Sequence, residues 1–337
     1  MSRTTFKMAT RKKIKILILG GTKFIGKNLI KKLDKKDFIV DVVSRKKIKF
    51  KNKNINKFYN INLDKIEKID SQIRYDYIID FISKNKQQIN KIFNKINFNS
   101  YIFISSAWLA KLNDKINLNK KIDINLVFKN DINRVTKKYL LNKYELENHI
   151  LIKSKLKKNC KFYILRLPII LGNEDYTDRL NFYFSRSKTI KKQIIIEDKK
   201  IFLNLLWVED ICLSLKKMMK KNLWPKSLFL EALNLNKINF RDFLIIVNKR
   251  LNLKDVKLLS FKEHLLRKKL KSLFVYDPFI NEKNLKITKH NIFKILSDRP
   301  KKFDFFIKKI KVKRNKNKIF NINKSKEINF FNTYNKE

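Results

Sequence analysis

This 337-residue chain predicts a doubly wound α/β fold: a mostly parallel sheet with helices on both faces, followed by a smaller α/β lobe. Short β-branched apolar runs alternate along it with segments of helical period. Three of its four glycines, Gly20, Gly21 and Gly26, fall within seven residues directly after the first such run. Hydrophobic residues make up 44%, enough for a sizeable core, which excludes a disordered or collagen-like chain.

Residues 1–13 read as a polar, basic leader. Ile14 to Leu19 reads as a buried strand. Phe24 to Leu33 follows as a helix, with Phe24, Ile25, Leu29, Ile30 and Leu33 on its apolar face. Phe38 to Val43 is a second buried strand, and Tyr77 to Ile82 and Tyr101 to Ile104 are two more. Residues 110–136, rich in Lys, Asn and Asp, read as a surface insertion. Residues 137–152 read as a helix and Phe162 to Leu167 as a strand. Residues 14–172 thus form the first domain, to which 203–220 return. Leu203 to Lys217 reads as a strand running into a helix, with Asp210 as its N-cap. Residues 173–309 otherwise make the smaller lobe, and 310–337 a frayed, Lys/Asn-rich tail.

The formal charge is +51, from 81 Lys+Arg against 30 Asp+Glu. The lysines are spread along the chain together with many Asn, Ile and Phe. This is the pattern of compositional drift, such as AT-rich coding produces, rather than of one basic patch. Selected nucleic-acid binding is the competing reading. Cys160 and Cys212 are too few for a disulfide scaffold or a Cys-rich zinc site and read as core residues, in a reducing, cytoplasmic compartment. His149, His264 and His290 lack ligand spacing, so no metal is expected. No run approaches the roughly 18 uncharged apolar residues of a membrane span. Arg11-Lys12-Lys13 precedes an apolar run of only six residues, too short for a signal peptide.

The turn Gly20-Gly21-Thr22-Lys23-Phe24-Ile25-Gly26 joins strand to helix. Such a turn offers backbone N–H groups and the positive end of a helix dipole to a pyrophosphate. At the end of the second strand, where an acid would bind a ribose 2′-hydroxyl, the chain has Ser44-Arg45. Asp41, the nearest acid, is mid-strand and out of phase. A hydroxyl and a guanidinium suit a 2′-phosphate, hence NADP ahead of NAD. Of the eleven tyrosines only Tyr139 has a lysine, Lys143, four residues on. On a helix the two share a face, and an ammonium beside a phenol lowers its pKa from about 10. Ser105-Ser106-Ala107-Trp108 stands at a strand end, where ligands of open α/β sheets bind.

Together these motifs resemble the extended short-chain dehydrogenase/reductases, the NAD-dependent epimerase/dehydratase family. Lys23 replaces the middle glycine of the family's Gly-x-x-Gly-x-x-Gly. A basic residue there is similar to the Gly-Gly-Thr-Arg-Phe-Ile/Leu-Gly branch, which includes the chloroplast stem-loop RNA-binding proteins. The resemblance implies a Rossmann-type domain that binds its cofactor through Gly20, Thr22, Lys23, Phe24, Ile25, Gly26, Ser44 and Arg45. Tyr77 to Ile82 resembles the strand flanking the ribose, which brings in Asp80 and Phe81. Leu165-Arg166-Leu167-Pro168 with Leu171-Gly172 resembles the run leading to the substrate lobe and adds Leu167. Trp207-Val208-Glu209-Asp210 resembles the later Val-x-Asp helix start, and Glu147 continues the helix motif of Tyr139 and Lys143.

By the same resemblance Tyr139 moves the proton, Lys143 tunes it and holds the nicotinamide ribose, and Ser106 bonds the reacting oxygen. Trp108 and Arg179 face a small-molecule substrate, with a nucleotide-linked sugar as the leading type. Epimerisation, dehydration and reduction share this first step and stay open. A homodimer follows by analogy alone; no membrane partner is expected. Two alternatives stand beside the enzyme: an RNA-binding protein on a retained Rossmann scaffold, supported by the charge and by Lys23, and a subunit that binds a cofactor without chemistry.

Overall fold

The computed structural model describes residues 12–46, 53–109, 134–280, 282, 284–312 and 324–334. The expected leader, insertion and tail therefore lie largely outside the described residues. Six strands of the central sheet are β1 (Ile14–Leu19), β2 (Phe38–Val43), β3 (Ile55–Tyr59), β4 (Arg74–Asp80), β5 (Asn97–Ser106) and β6 (Lys161–Leu167). The seventh is Phe229–Glu231, which pairs with Ile164–Arg166 of β6. Across the sheet the order is β3-β2-β1-β4-β5-β6 and then Phe229–Glu231, and every pairing is parallel. The order reverses at β1, with β2 on one side and β4 on the other. The crevice beyond the carboxyl ends of the strands at such a reversal is where ligands bind.

Strand residues alternate between two covered faces. Ile16, Ile18, Val40, Val42, Ile79 and Ile102 pack towards α1 (Phe24–Lys32) and the helix Val208–Lys221. Leu17, Leu19, Ile78, Tyr101 and Phe103 pack towards α2 (Lys86–Lys95) and α3 (Arg134–Leu156). Each such side chain, fully buried, contributes about 1.5–3 kcal/mol. β4 stops at Asp80 because its carboxylate accepts from the N–H groups of Ile82 and Ser83 at 2.8 and 2.9 Å, closing a turn where the sequence suggested strand to Ile82.

The lobe has its own core. Its helices Arg179–Thr189 and Phe240–Arg250 bring Tyr183 and Phe243 edge-to-face at 5.0 Å, with Phe279 against both. Two of its strands, Lys192–Ile196 and Lys257–Phe261, pair in parallel.

Three expectations are corrected. Residues 222–309 are not all lobe: Phe229–Glu231 extends the central sheet, and Ile292, Phe293 and Leu296 belong to the core beside α1. A three-residue strand is too short to show a period. Asp210 is not an N-cap. Trp207 takes that place, and Asp210, in the first turn, accepts from the Lys301 backbone and ammonium at 2.8 and 2.7 Å. Residues 324–334, within the expected frayed tail, are helical. Glu327, Phe330 and Phe331 are buried, and Glu327 meets the buried Arg186 guanidinium at 2.8 Å. The Lys/Asn background hid this short apolar face.

Candidate active site

The phosphate turn is built by exclusion of side chains. Gly20 has φ +94°, and a Cβ on it would stand 2.2 Å from Ile82 Cγ2. A Cβ on Gly26 would reach the backbone of Gly21 and Gly20 at 2.9 and 3.0 Å, so α1 can seat on the turn only with glycine there. The N-cap of α1, Lys23, gives no side-chain hydrogen bond, and the first turn holds no acid. Phe24 opens the helix at φ 28°, a conformation that costs a non-glycine residue about 1–3 kcal/mol. An uncapped helix start with a cradle that a Cβ would fill fits the pyrophosphate of a dinucleotide.

Other expected cofactor residues surround this turn. Thr22 Oγ1 and Ser44 Oγ are 3.0 Å apart, tying the turn to the end of β2. Ser44 is buried and Arg45 exposed. Asp41 is sealed in the interior, accepting from Tyr75 OH, Asn56 and the Lys57 N–H at 2.8–3.0 Å. The Asp80 carboxylate is likewise turned inward, to Ser83 Oγ and to Tyr101 OH at 2.5 Å, besides its turn N–H groups. Burial together with that carboxylate drives the Tyr101 phenol well above its ordinary pKa. The Phe81 N–H donates to the Leu19 carbonyl at 3.0 Å. Ile25 is half-buried against the core beside α1, in which Leu167 is buried.

At the end of β5 the polar groups converge. The Lys143 Nζ donates to the Ile104 carbonyl at 2.7 Å and lies 4.2 Å from the centre of the Phe103 ring. Burial lowers its pKa to about 8, against the opposing charges of Asp80 and Glu147. Two residues beyond Ile104, Ser106 Oγ accepts from the Trp108 N–H at 3.3 Å. Tyr139 is one helical turn before Lys143, with 49% of its surface exposed. Further along α3, Glu147 grips Arg166 of β6 at 2.5 and 3.0 Å, both side chains buried, and so fixes the helix against the sheet.

The expected lowering of the Tyr139 pKa by Lys143 is not what the structure shows. Tyr139 is pushed up to about 12, first by neighbouring atoms that keep water from it although 49% of its surface is exposed, and then by Tyr176, with Arg179 opposing and Glu147 adding a little. The Lys143 ammonium is spent on a carbonyl and a ring face, and the cation acting on the phenol is Arg179. Arg179 Nη1 donates to Thr177 Oγ1 at 2.8 Å. Trp108 donates its indole N–H to both oxygens of the buried Glu282, at 2.9 and 3.1 Å, joining β5 to the lobe.

The sequence places residues 173–178 in the smaller lobe, with no contact to the phosphate turn expected. Glu174 pairs with Lys27 and Lys31 of α1 at 2.9 and 3.2 Å, and the Lys23 ammonium lies 5.2 Å from the centre of the Tyr176 ring. The only local sign was Gly172, whose absent Cβ makes room for Val208 and Phe24. His149 is held by Asn90 at 2.8 Å, and burial with nearby lysines lowers its pKa. Burial raises the Cys212 thiol above its ordinary pKa. Among the described residues no helix is long and apolar enough to cross a membrane.

Residues 16–101 match the model of the NAD dependent epimerase/dehydratase family. The match lies within the nucleotide-binding segment. The resemblance carried by Gly20 to Gly26 is thereby shown, and an NAD-dependent enzyme family with it. No curated protein matches the chain in sequence. Among solved structures, the UDP-glucose 4-epimerase of Thermotoga maritima is 16% identical, with TM-score 0.58, over 88% of this chain and 96% of its own. The UDP-N-acetylglucosamine 4-epimerase of Methanobrevibacter ruminantium M1 gives the same figures. The dTDP-glucose 4,6-dehydratase of Bacillus anthracis, solved with NAD, is 11% identical, with TM-score 0.53, over 84% of this chain and 96% of its own. At these identities the likeness speaks for the epimerase/dehydratase fold, and it spans both the sheet and the lobe.

Proposed function

We propose that the chain is an NAD(P)-dependent epimerase, dehydratase or reductase acting at a hydroxyl- or carbonyl-bearing carbon of a nucleotide-linked sugar. The observation that carries this reading is the Lys143 ammonium on the Ile104 carbonyl, two residues before Ser106 at the end of β5, with Tyr139 one helical turn before Lys143 on α3; only β4 separates β5 from the switch point at β1. The turn Gly20–Gly26 holds the pyrophosphate, and Thr22 with Ser44 closes its edge. When bound, the cofactor supplies or accepts the hydride. Tyr139 gives its proton to a carbonyl oxygen, or as phenolate takes one from a hydroxyl, and Ser106 donates to the same oxygen. Lys143, anchored on the Ile104 carbonyl, would hold the nicotinamide ribose. Arg179 stabilises the phenolate left when Tyr139 gives its proton.

Ser44 and Arg45, with Asp41 engaged in the interior, favour NADP over NAD. The similar structures solved with nucleotide sugars support the substrate class. The test is titration with NADPH and NADH, followed by turnover assays on UDP- and dTDP-sugars. Tyr139→Phe is expected to retain cofactor affinity and to lose turnover by about 10²–10⁴-fold. Unchanged turnover would remove Tyr139 from the reading.

The +51 charge keeps RNA binding as a second reading on the same scaffold. It predicts affinity for RNA that collapses with rising salt, whereas cofactor affinity in a cleft changes little.

A further inference from the structure

We propose that Tyr176 is a cofactor-site residue, its ring holding the Lys23 ammonium at the phosphate turn. This rests on the cofactor reading above and adds to it a residue that no motif supplies.

The segment from Gly172 to Arg179 is tied to α1 and to the phosphate turn. At its start, the missing Cβ of Gly172 lets Phe24, the first residue of α1, and Val208 approach. Next, Glu174 takes the ammonium groups of Lys27 and Lys31, both on α1. Two residues on, the Tyr176 ring lies 5.2 Å from the Lys23 ammonium. Then Asp175 accepts from the N–H and Oγ1 of Thr177 at 2.9 and 2.6 Å, and Thr177 Oγ1 accepts from Arg179. At its far end the Arg179 guanidinium opposes the rise of the Tyr139 pKa. The loop is thus anchored to the phosphate-binding helix through Glu174 and to the phosphate turn through Tyr176.

Tyr176 is nevertheless 64% exposed. A large aromatic ring left open to water earns little from burial, so its placement over a cation points to a ligand that completes the contact. Lys23 occupies a position where a bare glycine is usual. Left free, its stem would be able to sweep across the phosphate site. The face of the Tyr176 ring restrains it through cation–π attraction.

The experiment is a titration of the full chain with NADPH and NADH at fixed salt, read by intrinsic fluorescence and by calorimetry. It compares the unsubstituted protein with Tyr176→Ala, Tyr176→Phe, Lys23→Ala and the Tyr176→Ala/Lys23→Ala double variant. Tyr176→Ala should weaken binding by roughly two- to five-fold, the range of an exposed cation–π contact. Tyr176→Phe, which keeps the ring, should restore it. The double variant should differ from Lys23→Ala by less than Tyr176→Ala differs from the unsubstituted chain, because the two side chains act as one unit. Circular dichroism on each variant confirms that the exposed substitution leaves the fold intact. Binding by the unsubstituted chain with Tyr176→Ala unchanged, or with strictly additive losses, overturns the role of Tyr176 and leaves the cofactor reading standing. No binding by the unsubstituted chain overturns both.

Discussion

Lys143 is the residue on which fold and chemistry press hardest. Its folded pKa of about 8 lies below the roughly 10.4 of an unfolded lysine, so the unfolded chain holds this proton more tightly. Stability therefore gains from Lys143 as pH rises from about 8 to about 10.4, by an amount on the order of 3 kcal/mol. Urea unfolding across that range should show the gain in the unsubstituted chain and lose it in Lys143→Met. An identical pH slope in both would remove the buried charge from the account. Tyr139, with its pKa raised to about 12, is a neutral phenol at neutral pH, so in the proposed reaction it would give a proton before it takes one. At Gly26 the matter is purely steric. Gly26→Ala sets a methyl 2.9 Å from the Gly21 backbone, which cannot rotate away, and should cost about 1–3 kcal/mol in thermal unfolding.

At the scale of elements, one buried ion pair ties α3 to β6, beside its buried Leu146 and Ile150. Glu147→Gln leaves the Arg166 guanidinium without its counter-charge at 3% exposure, and a loss of about 3–5 kcal/mol is expected in urea unfolding. The same variant should loosen Tyr139 and Lys143, which ride on that helix. The elements differ in how plainly they could be read. β1 and β2 were bounded to the residue from the sequence, because both of their faces are covered and their apolar runs are nearly continuous. β3 went unread: it pairs only with β2, and Asn56 and Lys57 face solvent, so no period survives. The phosphate turn was legible because its whole logic is local. The cation acting on the Tyr139 phenol was not, since Arg179 opens a helix forty residues later that only the tertiary fold brings near. Glu147 and Arg166 were visible as motif letters, but their pairing across α3 and β6 was not.

For the whole molecule, +51 charges on one chain must repel each other in the compact state. Many of the lysines near α1 and Val208–Lys221 are paired, as in Lys216 with Asp34 at 2.6 Å and Lys217 with Asp298 at 2.5 Å, but 30 acids cannot answer 81 bases. Screening should therefore stabilise the fold. Raising ionic strength from about 0.05 to about 0.5 M should lift Tm by several degrees, as the screening length falls to a few ångströms. A flat or falling Tm would show the charges to be locally compensated. The buried Arg186 tells a story of time rather than of energy. Its counter-charges, Asp277 and Glu327, are 91 and 141 residues further along the chain. At about 5–20 residues per second, a ribosome makes the arginine roughly 5–20 s before the aspartate and roughly 10–30 s before the glutamate. The nucleotide-binding half can close during that interval, while the lobe waits for the second of the two carboxylates that surround its central cation. Until then the nascent lobe is the part that chaperones and proteases would find open.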